Sequence, residues 1–251
     1  MSAGAREAGD LRGGAAGREA GRVREAAPAG RYGVRALWDT TVGKKAVMAV
    51  TGIIGIAYVI VHMIGNLQIF QGAERLNAYA HLLHGPLREV LWVVRVILLT
   101  ALVLHVAAAW QLSRRARSAR PVPYAVREPQ VSTLASRTMR WGGVLLLAFI
   151  VFHILHFTTG TIRPGGVFVA GDVFGNAIAG FRIWWVTLFY VAAMAALGLH
   201  LYHGVWSSAR TLGVRPAAGG LRRRPAAAAL AIAVAAGFAL VPVAVFLGWV
   251  R

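Results

Sequence analysis

The chain contains no cysteine. That excludes a disulfide, a thiolate-held iron–sulfur cluster and a covalently attached c-type haem, so any metal must be held by histidine or oxygen. Acidic residues are scarce, nine against 27 Lys and Arg. Charged residues of both signs make up only 14% of the 251 residues, whereas 57% are hydrophobic. A soluble domain carries about 25% charge, so the composition implies an integral membrane protein. The net charge of +18 would suit nucleic acid. The arginines, however, cluster between apolar runs, where they orient a membrane protein, and no nucleic-acid partner is expected. Large apolar residues are rare in residues 1–30, which are mainly Gly, Ala, Arg and Glu. Such a segment cannot bury a core. It also lacks the apolar run and cleavage site of a signal peptide. Residues 1–35 therefore read as a disordered extension, and residues 36–251 as one membrane unit.

Five apolar runs have the length of about 20 residues that crosses a bilayer as a helix. Span I is about Ala46–Ile64, span II Val90–Trp110, span III Trp141–Thr159, span IV Trp184–Trp206 and span V Ala226–Val250. Trp110, Trp141, Trp184, Trp206 and Trp249 mark span ends, as in an interfacial aromatic belt. Basic residues crowd the II–III connection (Arg114, Arg115, Arg117, Arg120, Arg127, Arg137, Arg140), the IV–V connection (Arg210, Arg215, Arg222, Arg223, Arg224) and the stretch before span I (Arg31, Arg35, Lys44, Lys45). The positive-inside rule then puts the N-terminus in the cytoplasm and the C-terminus outside. In the I–II connection, residues 74–84 carry apolar positions at helical spacing and end before Pro86, which predicts a short interfacial helix on the outer face. The expected fold is all-α: a five-helix membrane bundle with that helix between spans I and II.

Four histidines lie inside four different spans: His62, His105, His153 and His200. Ionisable groups at membrane depth are costly and point to function. At 1.5 Å per residue, His62 and His153 lie roughly 24 and 18 Å from the inner face, and His105 and His200 roughly 9 Å from it. Depth alone pairs His62 with His153 toward the outside and His105 with His200 toward the inside, with centres roughly 10 Å apart in depth. Facing pairs of this kind are how a helix bundle holds two haems. Small residues flank three of the four: Ala101, Ala108 and Ala109 near His105, Ala196 and Gly204 near His200, and Gly55 and Gly65 near His62. Close helix packing is the common alternative use of such residues. His156 and His203 each follow a candidate ligand by three residues and share its helix face, so either could replace its neighbour. Arg95, in the outer part of span II, either snorkels to the headgroups or pairs with a propionate of the outer haem. Arg210 is the corresponding candidate for the inner haem.

Three blocks carry a family resemblance. They are residues 43–52 (GKKAVMAVTG), His62-Met63-Ile64-Gly65-Asn66-Leu67-Gln68, and Asn77-Ala78-Tyr79-Ala80-His81. They continue through His105, Phe152-His153 and residues 200–206 (HLYHGVW). Over about residues 38–250 the chain resembles the cytochrome b558 membrane-anchor subunit of succinate dehydrogenase and fumarate reductase. The resemblance implies five membrane helices and two b-type haems whose axial ligands come from one His on each of the first four helices. It also implies a flavoprotein subunit and an iron–sulfur subunit docked on the cytoplasmic face of a bacterial plasma membrane. Electrons from succinate would reach a quinone, typically menaquinone. The chain has no dinucleotide fingerprint, so succinate chemistry would occur in those partners. Family members often carry an acidic residue shortly after the interfacial helix, and His84 stands at that position here. A quinone taking up two protons needs a titratable group within reach, and His84 at the outer interface is the candidate. Two other readings stand beside this one. One is the diheme subunit of another quinone-linked oxidoreductase. The other is a transporter with a histidine proton relay, although such proteins usually have broken helices at mid-membrane.

Overall fold

A computed structural model describes residues 33–119, 133–166, 168–214 and 223–251. Residues 1–32, expected to be disordered, lie outside the described residues, as do Arg120, Arg127, Arg215 and Arg222 of the basic connections. Among the described residues the regular structure is helical throughout. In chain order it comprises α1 (Val34–Asp39), α2 (Thr41–Asn66), a 3₁₀ turn (Leu67–Gln71), α3 (Ala73–His84), α4 (Arg88–Ser118) and α5 (Leu134–His153). A π turn (Ile154–Thr158) follows, then α6 (Val173–Phe181), α7 (Trp184–Thr211) and α8 (Arg223–Phe246).

Five of these helical segments are long and apolar enough to cross a membrane, and the chain is a multi-pass membrane protein: Thr41–Gln71, Arg88–Ser118, Leu134–Thr158, Trp184–Thr211 and Pro225–Phe246. Large side chains such as Trp92, Val96, Leu99, Val103 and Trp110 of α4 and Trp141 and Val144 of α5 are exposed along them. A surface of that kind needs lipid rather than water. The helices overrun the apolar spans at their basic ends. Arg114, Arg115 and Arg117 sit on the last turns of α4, and Arg137 and Arg140 on the first turns of α5, not in loops. Thr133 and Ser136 form a reciprocal capping box that starts α5 there.

The helices pack in the spatial order α4, α2, α7, α5, with α8 lying against both α2 and α7. Neither α4 and α7 nor α2 and α5 form a packed interface. The α8 stripe Ala227, Ala231, Val234, Val241, Ala244 and Val245 is buried at helical spacing. Its contact with α7 is close because Gly198 has no side chain: a Cβ there would lie 3.1 Å from the Cβ of Ala235.

Short helices close both ends. At the basic end, α1 folds back on the start of α2, where Gly43 has no Cβ to collide with the Leu37 carbonyl. Lys44 is thereby buried (1% exposed), donating to the Trp38 carbonyl and lying over the Trp38 ring. The Arg115 guanidinium donates both terminal N–H groups to the Asp39 carbonyl (3.1 Å each), tying α4 to the same junction. At the other end, the expected interfacial helix is α3. It is joined by α6, in the connection between spans III and IV, and Ile69, Leu76, Ile178, Phe181 and Val250 share one core there. Tyr79 of α3 packs on Gly65, where a Cβ would lie 2.9 Å from its ring.

Asn77 joins α3 to α6. Its amide donates to Asp172 Oδ1 (2.9 Å), and its carbonyl oxygen accepts from Phe174 N (3.0 Å). Asp172 also accepts from Gly175 N (2.9 Å), capping α6. These bonds, the Gly175 amide first and Asn77 second, hold the Asp172 carboxyl below its ordinary value. A depressed carboxyl stabilises above its ordinary pKa of about 3.9, and that contribution is lost as pH falls through the lower folded value. Asn77→Ala is expected to loosen α6 by about 1–2 kcal/mol. Hydrogen exchange at Phe174 and Gly175, corrected for intrinsic rate, should show it. In the unsubstituted protein the same amides should lose protection only below about pH 4.

Candidate functional site

The candidate site is two pairs of imidazoles at two levels of the bundle. Toward the α3/α6 end, the rings of His62 on α2 and His153 on α5 have centroids 5.8 Å apart and planes at 82°. Toward the basic end, His105 on α4 and His200 on α7 have centroids 6.1 Å apart and planes at 51°. Each pair spans helices that do not pack against one another.

Hydrogen accounting fixes the His105 ring. Its Nδ1 lies 3.1 Å from Thr51 Oγ1. That hydroxyl has one proton, which it donates to the Val47 carbonyl at 2.7 Å, with Met48 O at 3.2 Å. The oxygen must then accept from His105, so His105 carries its proton on Nδ1 and keeps a lone pair on Nε2. His153 Nδ1 lies 3.3 Å from the Tyr190 hydroxyl, which is also 3.2 Å from His156 Nδ1.

The two central helices thus play matching parts. Helix α2 carries His62 of one pair and Thr51, which holds His105 of the other. Helix α7 carries His200 of one pair and Tyr190, which holds His153 of the other. Thr51 precedes His62 by eleven residues and Tyr190 precedes His200 by ten, so the levels stand about 15–17 Å apart along these helices. That exceeds the separation of roughly 10 Å expected from the sequence. His62 is held by ring packing, stacked on Tyr58 (5.3 Å) and tilted against Phe238 (5.7 Å). His200 Nδ1 is buried and, among the described residues, is the one such side-chain atom without a hydrogen-bond partner.

The arrangement has the spacing of a bis-histidine metal group. Two imidazoles bound from opposite sides, each nitrogen about 2 Å from the metal, have ring centres roughly 6 Å apart. Both pairs meet that spacing. In both pairs the histidines meet across helices that are not themselves packed together. No cluster of three or more His, Cys, Asp or Glu is present among the described residues, but a metal inside a flat macrocycle needs only two protein ligands.

Other expected residues fall as follows. The flanking alanines Ala101 and Ala108 are buried in helix packing, and Gly65 serves Tyr79 rather than a ligand face. Gly55 and Gly204 border open space. Arg95 lies over Trp92 (5.1 Å to the ring) and within electrostatic reach of Tyr58, the neighbour of His62. His84 is exposed at the end of α3, its Nδ1 2.9 Å from the Ala80 carbonyl. Arg210 and His203 line a cleft of about 450 Å³ at the basic end, with Lys45, Ser136, Tyr202 and Trp206. His156 is buried (4% exposed), its Nε2 2.6 Å from where a Gly180 Cβ would lie. Thr51, Tyr190 and Tyr58 were not picked out from the sequence. The signal available was a hydroxyl on each of two histidine-bearing helices, ten or eleven residues before the histidine.

No known protein family, curated protein or solved structure matches this chain.

The glycines give a direct check. Gly180→Ala must displace the His156 ring and is expected to cost about 1–3 kcal/mol. Gly143→Ala, in the interior of α5 with nothing within 4 Å of its Cβ, is expected to gain roughly 0.5–1 kcal/mol. Thermal unfolding of the purified protein should move in opposite directions for the two.

Proposed function

We propose that the chain is the diheme cytochrome b membrane-anchor subunit of a succinate:quinone oxidoreductase, carrying electrons between an iron–sulfur subunit and a quinone. The observation that carries the haem reading is the pair of imidazole couples, each with a hydroxyl-held Nδ1 on its peripheral member. The succinate reading rests on the family resemblance. Haem b, when bound, supplies one-electron chemistry within the membrane. The chain's own residues do the rest. His62 and His153 would hold the outer haem iron, and His105 and His200 the inner. Thr51 keeps the Nε2 lone pair of His105 available. Arg95 and Arg210 would pair with propionates of the outer and inner haem respectively.

The basic end is the cytoplasmic face of a bacterial plasma membrane in this reading. It would carry the flavoprotein and iron–sulfur subunits beside Arg114, Arg115 and Arg117. Anionic lipid headgroups would meet the remaining cations. After Arg117→Cys, the thiol should resist a membrane-impermeant label in intact cells and react after lysis. Labelling in intact cells would reverse the topology.

His105→Ala and His200→Ala should each abolish the inner haem, seen as loss of about half the reduced-minus-oxidised absorbance, with part of the outer haem kept. Variants that retain two haems per chain would sink the ligand assignment. The same spectrum separates this reading from a proton-relay transporter, which binds no haem. Co-purifying subunits separate it from another quinone-linked oxidoreductase.

Two places compete for menaquinone. One is the outer interface, where His84 would exchange protons with the bound headgroup. The other is the cleft at the basic end, lined by His203, Tyr202 and Trp206, and its size favours it. Quinone reduction takes up two protons, so a donor must lie within hydrogen-bond reach. Loss of quinone reduction in His203→Ala, with His84→Ala unaffected and both haems still reducible by succinate, is the outcome expected for the cleft. The reverse pattern identifies the outer site.

A further inference from the structure

We propose that Tyr190 is the positioning residue of the outer pair: its hydroxyl fixes the His153 ring toward His62 and holds His156 out of the site. The proposal rests on the haem reading above and decides which of two neighbouring histidines serves it.

Tyr190 is buried (5% exposed). Its ring is enclosed edge-on by Phe149 and Phe181, each 4.9 Å away. The aromatic cage fixes the place of the hydroxyl, because the ring has no room to swing. Past His153 the helix widens into the π turn at Ile154–Thr158. Such turns are frequent at functional sites. This one lets His153 and His156 both reach the same phenolic oxygen, at 3.3 and 3.2 Å.

The proton count then distinguishes the two rings. His153 faces His62, so under the haem reading its Nε2 carries the lone pair and its Nδ1 the proton. That proton is donated to the Tyr190 oxygen. The Tyr190 proton is left to be donated to His156 Nδ1. His156 therefore keeps its own proton on Nε2 and has no lone pair to offer. Its Nε2 is also turned away, against Gly180. The bond from His153 has an electronic consequence as well. An acceptor on the far nitrogen makes a ligand imidazole more basic, which favours the oxidised form of a bound iron and lowers its potential.

The test is Tyr190→Phe in the whole complex. Phenylalanine keeps the ring in its cage and removes only the hydroxyl. Haem content and a potentiometric titration of both haems are the readouts, with His156→Ala as companion. The expected result is two haems retained, an outer-haem midpoint moved to higher potential and an inner-haem midpoint unchanged. Loss of the outer haem alone in Tyr190→Phe, with both haems kept in His156→Ala, supports the same role. An unchanged outer midpoint overturns the proposal, and so does loss of the outer haem in His156→Ala, which would make His156 a ligand. Failure of the haem reading would look different: the unsubstituted complex would lack two haems before any substitution.

Discussion

The packing of α2 against α7 is the contact on which the rest of the arrangement depends. Each of these helices carries one member of one imidazole pair and the hydroxyl that orients the far member of the other pair. Their mutual register therefore sets both sites at once. Thr51 and His200 must face the two sides of one gap, and His62 and Tyr190 the two sides of the next. Helix α8, seated against both through Gly198 and Gly237, locks that register. The peripheral helices α4 and α5 need only supply a histidine each, and their outer faces are left to lipid.

Holding His105 through a hydroxyl is chemically economical. A threonine on a helix satisfies its own donor on the carbonyl one turn back, which leaves its oxygen as an acceptor for a neighbour. The neighbour's tautomer is then fixed without any charge being buried. Within a membrane, where an unpaired carboxylate is expensive, a hydroxyl is the lower-cost orienting group. The Tyr190 hydroxyl does the same for His153, with an aromatic cage in place of a helical carbonyl to hold it still.

Much of this was legible from residues alone, and the reasons are physical. Twenty apolar residues can only cross a bilayer as a helix, so the five spans followed from length. A fixed rise per residue turned the positions of His62, His105, His153 and His200 into depths, and the structure brings together the rings that depth pairs. Helix rotation was not legible. Which side chain on α2 reaches His105 depends on the azimuth of two helices, which a rise per residue does not give, so the parts played by Thr51 and Tyr190 were not legible. Helix α6 was missed because Val173–Phe181 is short and apolar with two internal glycines. Its one local signal was Asp172, an N-cap residue ahead of an apolar run. Gly65, one of the small residues beside His62, belongs to the packing of α3 through Tyr79.

The central claim is that each imidazole pair holds one haem. The haem-to-chain ratio of the purified complex, from its pyridine haemochrome spectrum and a quantitative assay of this subunit, tests it most directly. A ratio of two is the expected result. A ratio of zero would contradict the account entirely, and a ratio of one would show that one of the two pairs is only a packed couple of rings.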